Sequence, residues 1–79
     1  MFYSYVIQSI FDNTYYYKGH CEDLEKRLKQ HNAGMTKSNK HKIPFKVVSF
    51  EEFTLLADAI KREKYFKTAA GRRFLKNKL

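Results

Sequence analysis

Two strand-forming runs joined by a tight turn open this chain, and they restrict what the rest can become. Residues 2–10 are aromatic and β-branched and read as a strand. Asp12-Asn13 is a turn signal, and residues 14–18 read as the returning strand, which stops at Gly19. So short a connection pairs the two strands antiparallel. A helix follows, with Asp23 as its N-cap and Leu24 and Leu28 four apart on one face; it stops near residues 32–34. Residues 35–44 form a polar, basic loop, and residues 46–53 read as a third strand. A second helix over about residues 55–67, a break at 68–71 and a short terminal helix over 72–78 complete the order β-β-α-β-α-α. That order predicts an α+β fold in which helices flank a small three-stranded antiparallel sheet. No linker, repeat or glycine-rich phosphate loop is present, which excludes a Rossmann unit or P-loop. With 79 residues the expectation is one domain around one small core, to which seven Phe and six Tyr contribute most of the buried area.

Within this frame Glu63 is anomalous. Stepping about 100° per residue along the second helix places Leu56, Ala59, Ile60 and Phe66 on one apolar face, with Glu63 in its middle. An ionised carboxylate there costs on the order of several kcal/mol unless a cation, a metal or strong donors compensate it. An ion pair with Arg27 or hydrogen bonds from tyrosine hydroxyls would suffice without a metal. On the first helix Arg27 and His31 lie four apart along one border of the apolar stripe. Taken singly, a border Arg reads as a snorkelling surface residue and a border His as a packing residue. Tyr3, Tyr5, Tyr15, Tyr16 and Tyr17 each read, one at a time, as strand packing.

Charge narrows the partners. Sixteen Lys and Arg against eight Asp and Glu give a formal charge of +8, and residues 61–79 hold eight cations and a single acid, Glu63. Such a field favours a polyanion, most simply nucleic acid, with binding that weakens steeply as salt rises. Lys37, Lys40, Lys42 and Lys46, in and beside the basic loop, and Arg72 and Arg73 near the end are the candidate contacts. Cys21 is alone, so no intrachain disulfide forms and a reducing cytoplasm is the expected setting. No apolar run approaches the roughly 18 residues of a membrane span, and the start lacks the basic n-region and cleavage site of a secretory signal. A thiol nucleophile built from Cys21 with His20 or His31 lacks an orienting third group. A zinc site from Cys21, His20, His31 and His41 lacks paired ligand spacing.

The ordered set Tyr5, Tyr17, Arg27, His31 and Glu63 carries a resemblance. The chain resembles the GIY-YIG nuclease domain over essentially its whole length. The first half-motif stands as Ser4-Tyr5-Val6 and the second as Tyr17-Lys18-Gly19; Arg27 lies ten residues after Tyr17 and His31 four later, and Glu63 falls at the family's metal-ligand position. Ala70-Gly71-Arg72 is similar to the close of the short stand-alone members. The resemblance implies phosphodiester hydrolysis in DNA without a covalent enzyme intermediate, with one Mg²⁺ or Mn²⁺ on Glu63. Arg27 would face the scissile phosphate, Tyr5 or Tyr17 would orient and help deprotonate the attacking water, and His31 would orient a tyrosine or the phosphate, or relay a proton. A free phenol has a pKa near 10, so neighbouring cations must lower it for the base role.

The sequence also departs from the family pattern. Ser4 stands where glycine is frequent, Lys18 replaces a branched apolar residue, and His20-Cys21 replaces aromatic or small hydroxyl residues. Lys18 must therefore lie on a sheet edge and reach solvent, pointing opposite to Tyr17. No counterpart of the supporting C-terminal polar residue of the larger repair nucleases is present. Stand-alone members carry no second DNA-reading domain, which implies selectivity from substrate shape, a protein partner or the basic loop. The competing expectation is a catalytically silent nucleic-acid-binding module of the same fold.

Overall fold

The computed structural model describes all 79 residues. Strands β1 (Phe2–Ser9) and β2 (Tyr16–Cys21) form the opening hairpin, α1 (Leu24–Asn32) follows, and a short 3₁₀ turn at Lys40–Lys42 leads to β3 (Phe45–Phe53). Helices α2 (Leu56–Phe66) and α3 (Ala69–Lys78) close the chain. The sheet order is β2-β1-β3 with both pairings antiparallel, so the α+β architecture expected from the element order is the one observed. A register shift between Val6 and Ile7 bulges the β1–β3 pairing.

Because β1 is central, its alternate side chains are buried on both faces of the sheet. Tyr5 and Ile7 pack with Cys21 and Phe45 on the side covered by Leu24 and Leu28 of α1. Val6 packs on the other side with Phe66 of α2 and Leu75 of α3. Ser4, fully buried beside Val6's face, donates its hydroxyl to the Ala59 carbonyl and so pins α2 to the middle strand. Its small side chain allows that approach. Asn32 does the same for α1: Phe45 N–H donates to its Oδ1 at 2.7 Å, and its Nδ2 donates to the Phe45 carbonyl at 3.2 Å. Arg62 binds α2 to β3 through Glu51, at 2.9 and 3.2 Å, and its guanidinium lies 4.7, 4.9 and 5.0 Å from the ring centres of Tyr65, Phe66 and Phe74.

β2 begins at residue 16 instead of 14, and two further element boundaries differ from expectation, both at glycine. β2 runs through Gly19 to Cys21 instead of stopping there. A Cβ at Gly19 would lie 2.6 Å from the Tyr5 hydroxyl, so this glycine leaves room for a ring and does not end a strand. Helix α3 begins at Ala69, three residues early, capped by Thr68, whose hydroxyl accepts from Gly71 N–H at 3.1 Å. Gly71 sits inside the helix because a Cβ there would lie 1.9 Å from the Tyr65 carbonyl oxygen. Only Gly34, at φ 77°, takes the left-handed geometry expected after α1. Leu56, assigned from sequence to the apolar face of α2, is instead 44% exposed near the start of the helix.

Replacing Gly71 with alanine should force α3 off the end of α2. Chemical denaturation should show a loss of about 1–3 kcal/mol, the usual cost of overpacking. An unchanged midpoint would mean that the two helices do not need this close approach.

Candidate active site

The site is organised around Tyr5. Its phenol points from the central strand into the α1 side of the sheet and is 2% exposed, over the gap left by Gly19. His31, in the last turn of α1, places Nε2 2.8 Å from the Tyr5 oxygen. The Tyr17 ring, from the neighbouring strand, lies 5.0 Å from the His31 ring and 6.5 Å from the Tyr5 ring. Tyr17 pairs with Ile7 across the hairpin, which puts it on the same face as Tyr5. Arg27, one turn before His31, is half-buried and forms no ion pair with any acid. It lines a surface hollow of about 280 Å³ with Cys21, Lys26 and Gln30.

His31, at the border of the apolar stripe, is fully enclosed, as a packing residue would be. Its second nitrogen, Nδ1, lies 3.2 Å from Asn39 Nδ2. The imidazole thus bridges the Tyr5 phenol and the Asn39 amide, one ring nitrogen to each. Burial holds the His31 pKa below its ordinary value, against the hydrogen bond from Asn39, with the Arg27 charge adding to the depression. The imidazole is therefore a neutral positioning group with no direct path to a substrate.

Tyr5 departs from the sequence expectation in the opposite sense. Burial first, then the neighbouring Tyr17, Cys21 and Glu63, push its pKa well above the ordinary phenol value, and only Arg27 opposes them. Tyr5 stays a phenol at neutral pH. The hydrogen bond to His31 holds its oxygen in place.

Glu63 stands on α2, one turn beyond Ala59, and its side chain is 15% exposed. Neither Arg27 nor a tyrosine compensates it. Oε1 meets His20 Nδ1 at 2.7 Å and Oε2 accepts from Lys67 Nζ at 2.8 Å. His20 pairs with Ser4 in the sheet and so faces the α2 side, opposite to Tyr5. Glu63 thus stands on the α2 side of the sheet, across from the Tyr5 phenol, and its charge is the smallest of the influences that raise the Tyr5 pKa. Burial raises the Glu63 pKa, but the hydrogen bonds and charges of Lys67 and His20 outweigh it and leave the carboxyl below its ordinary value. It is ionised. A lone carboxylate of hard oxygen donors suits a divalent ion that keeps most of its water. Lys67, 54% exposed, is free to withdraw from it.

Sequence reasoning overlooked three of these partners as parts of the constellation. His20 was weighed only as a zinc or thiol partner, Lys67 only as one charge in a field, and Asn39 lies in a polar loop with no pattern to mark it. Cys21 is buried, and its thiol pKa is raised by that burial, so it is not a ready nucleophile. No three His, Cys, Asp or Glu side chains cluster as metal ligands. Among the candidate nucleic-acid contacts Lys37, Lys40, Lys46, Arg72 and Arg73 are exposed, whereas Lys42 is held by Asp12 at 2.8 Å.

The buried imidazole has a measurable consequence. With its folded pKa below the unfolded value of 6.5, the unfolded chain binds more protons in the interval between them. Stability due to His31 is therefore complete above 6.5 and declines as pH falls toward the folded value. Unfolding free energies measured between about pH 8 and 5 should show this decline, and His31→Gln should lack its share of it. A wild-type-minus-variant difference that is flat with pH would contradict a buried neutral ring.

No helix of the chain is long and apolar enough to cross a membrane. Residues 1–77 match the GIY-YIG catalytic domain. UPF0213 proteins of Listeria welshimeri and Listeria innocua are each 42% identical over 57 residues, which cover 71% of this chain and 62% of theirs. A UPF0213 protein of Staphylococcus saprophyticus is 38% identical over 61 residues, 76% of this chain and 74% of that one. The match thus spans less than two thirds of the Listeria relatives. No solved structure matches the chain significantly. With the family match running nearly end to end, the chain belongs to the GIY-YIG family, a family of nuclease domains.

Proposed function

We propose that this chain is a metal-dependent endonuclease that hydrolyses phosphodiester bonds in DNA in the cytoplasm, guided by substrate shape or a protein partner. The observation that supports it is the cluster of Tyr5, His31 and Tyr17 on the α1 face of the sheet, within a family match that spans residues 1–77. In this reading Glu63 would hold one Mg²⁺ or Mn²⁺, which supplies Lewis-acid stabilisation of charge on the phosphate. Arg27, partly desolvated and without an acid partner, presents its planar fork to the phosphate oxygens. Tyr5, neutral and oriented by His31, donates its proton as a hydrogen bond to a phosphate oxygen. Tyr17, the more exposed of the two phenols, orients the attacking water. The water oxygen bonds to phosphorus, one ester bond breaks, and the departing sugar oxygen takes up a proton. Lys37, Lys40, Lys46, Arg72 and Arg73 contact the flanking backbone, with Lys42 joining them if it leaves Asp12.

Cleavage of branched, flapped and single-stranded DNA with Mg²⁺ or Mn²⁺ tests the reading. Glu63→Gln and Arg27→Ala should each cut about 10²–10³-fold more slowly, the scale of losing a preorganised charge-stabilising group. Equal cutting by both variants would mean that the site is misassigned. Binding by wild type without any cutting would favour a silent binding module.

Lys67 gives a second test that does not depend on turnover. It neutralises Glu63 in the resting site, so Lys67→Ala should tighten Mn²⁺ binding roughly two- to tenfold. Paramagnetic broadening of amide signals near Glu63 would report it. Broadening in both proteins that is centred away from Glu63 would remove the metal from this residue.

A further inference from the structure

Lys18, the residue that departs from the second half-motif, lines a hollow of about 300 Å³ between edge strand β2 and helix α3. Val6, Leu75 and Leu79 supply apolar lining, and Tyr16 supplies an aromatic wall. Lys18, Arg72 and Lys76 complete it with three positive charges. None of the three has a carboxylate partner within ion-pair distance. Gln8 Nε2 donates to the Tyr16 hydroxyl at 3.1 Å and steadies that ring. Tyr16, Lys18 and His20 alternate along β2 and share one face, so the hollow opens on the same side of the sheet as His20 and its partner Glu63. Burial, and then the charges of Arg72 and Lys67, lower the Lys18 pKa, a sign of cations crowded without an anion.

From this geometry we infer that the β2–α3 hollow is a binding site for one nucleotide of a single-stranded segment, its base against Tyr16 and the apolar floor and its phosphates on Lys18, Arg72 and Lys76. A base needs an apolar slot with a π-face, and its phosphates need cations at the rim. This hollow provides both. A duplex keeps its bases stacked inside and cannot insert one without unpairing it. The site therefore discriminates flaps, tails and gaps from intact helix. The identity of the polymer rests on the nuclease reading above; the pocket itself does not.

The test uses the full chain with fluorescein-labelled dT12 and a 12-base-pair duplex, read by anisotropy at several salt concentrations. Arg72→Ala combined with Lys76→Ala should weaken dT12 binding at least tenfold. It should also reduce the salt slope by about 1.4, at roughly 0.7 per phosphate contact on a single strand. Tyr16→Ala should weaken dT12 at least fivefold and leave the duplex within twofold. Lys61→Ala combined with Lys64→Ala, exposed cations outside the hollow, should change dT12 less than twofold. An oligonucleotide carrying 5-iodouracil should crosslink to Tyr16. Equal losses from both cation pairs, with Tyr16→Ala harmless and no crosslink at Tyr16, would reduce the hollow to a diffuse basic surface and overturn the proposal. Cutting that depends on Glu63, with pocket variants binding as wild type, would sink the pocket alone. Loss of dT12 binding by the pocket variants, with no substrate ever cut, would sink the nuclease reading alone.

Discussion

Burying a phenol at the centre of a three-stranded sheet sets most of the other positions in this molecule. Tyr5 requires a glycine opposite it in the hairpin, because any side chain at position 19 would overlap its hydroxyl. It requires a polar partner within the core, which His31 supplies from the last turn of α1. His31 in turn requires α1 to end beside β3, a place fixed by the two hydrogen bonds between Asn32 and Phe45. The chain of dependence ends at Asn39, whose buried amide bonds the second nitrogen of the imidazole. Tyr5, His31 and Asn39 are buried, and a polar group there costs about 1–3 kcal/mol if left without a partner. The arrangement is therefore held by the energetic demand of its own polar atoms as well as by packing.

On the opposite face a different principle operates. Ser4 ties α2 to the central strand, Arg62 ties it to β3, and Gly71 lets α3 close over its end. These three contacts determine where Glu63 lies. The carboxylate is neither exposed nor dry, and Lys67 and His20 rather than an apolar shell set its properties. Charge, more than hydrophobic burial, tunes this half of the site. The pKa changes at Tyr5 and Glu63 run in opposite directions, so at neutral pH one face of the sheet carries a phenol and the other an anion.

Much of this was legible in the residues. Strand-forming composition, a turn signal and an N-cap defined the hairpin and α1, because these elements are specified by local chemistry. The five candidate site residues could be named because their order and spacing match a family pattern. What could not be read is instructive in its cause. Gly19 and Gly71 look like punctuation in a sequence, yet both mark close approaches to residues distant or out of register, Tyr5 and Tyr65. The compensation of Glu63 was sought in Arg27 or a tyrosine, since helical wheels and strand alternation give a face but not the partner on it. His20 became visible only when the sheet register placed it opposite Ser4. The burial of His31 and the raised Tyr5 pKa depend on how far three layers interpenetrate, which no local pattern encodes.

Strand β2 has a free outer side, and its backbone donors and acceptors there face solvent with no fourth strand to meet them. An open border of this kind invites a second copy to add on and extend the ladder into an aggregate. Lys18 stands in the middle of that border. Its ammonium cannot be stacked against an identical one without severe repulsion, so the lysine acts as a guard against self-association. Colloidal stability and anion attraction thereby draw on the same charge, and a substitution made to alter one would disturb the other.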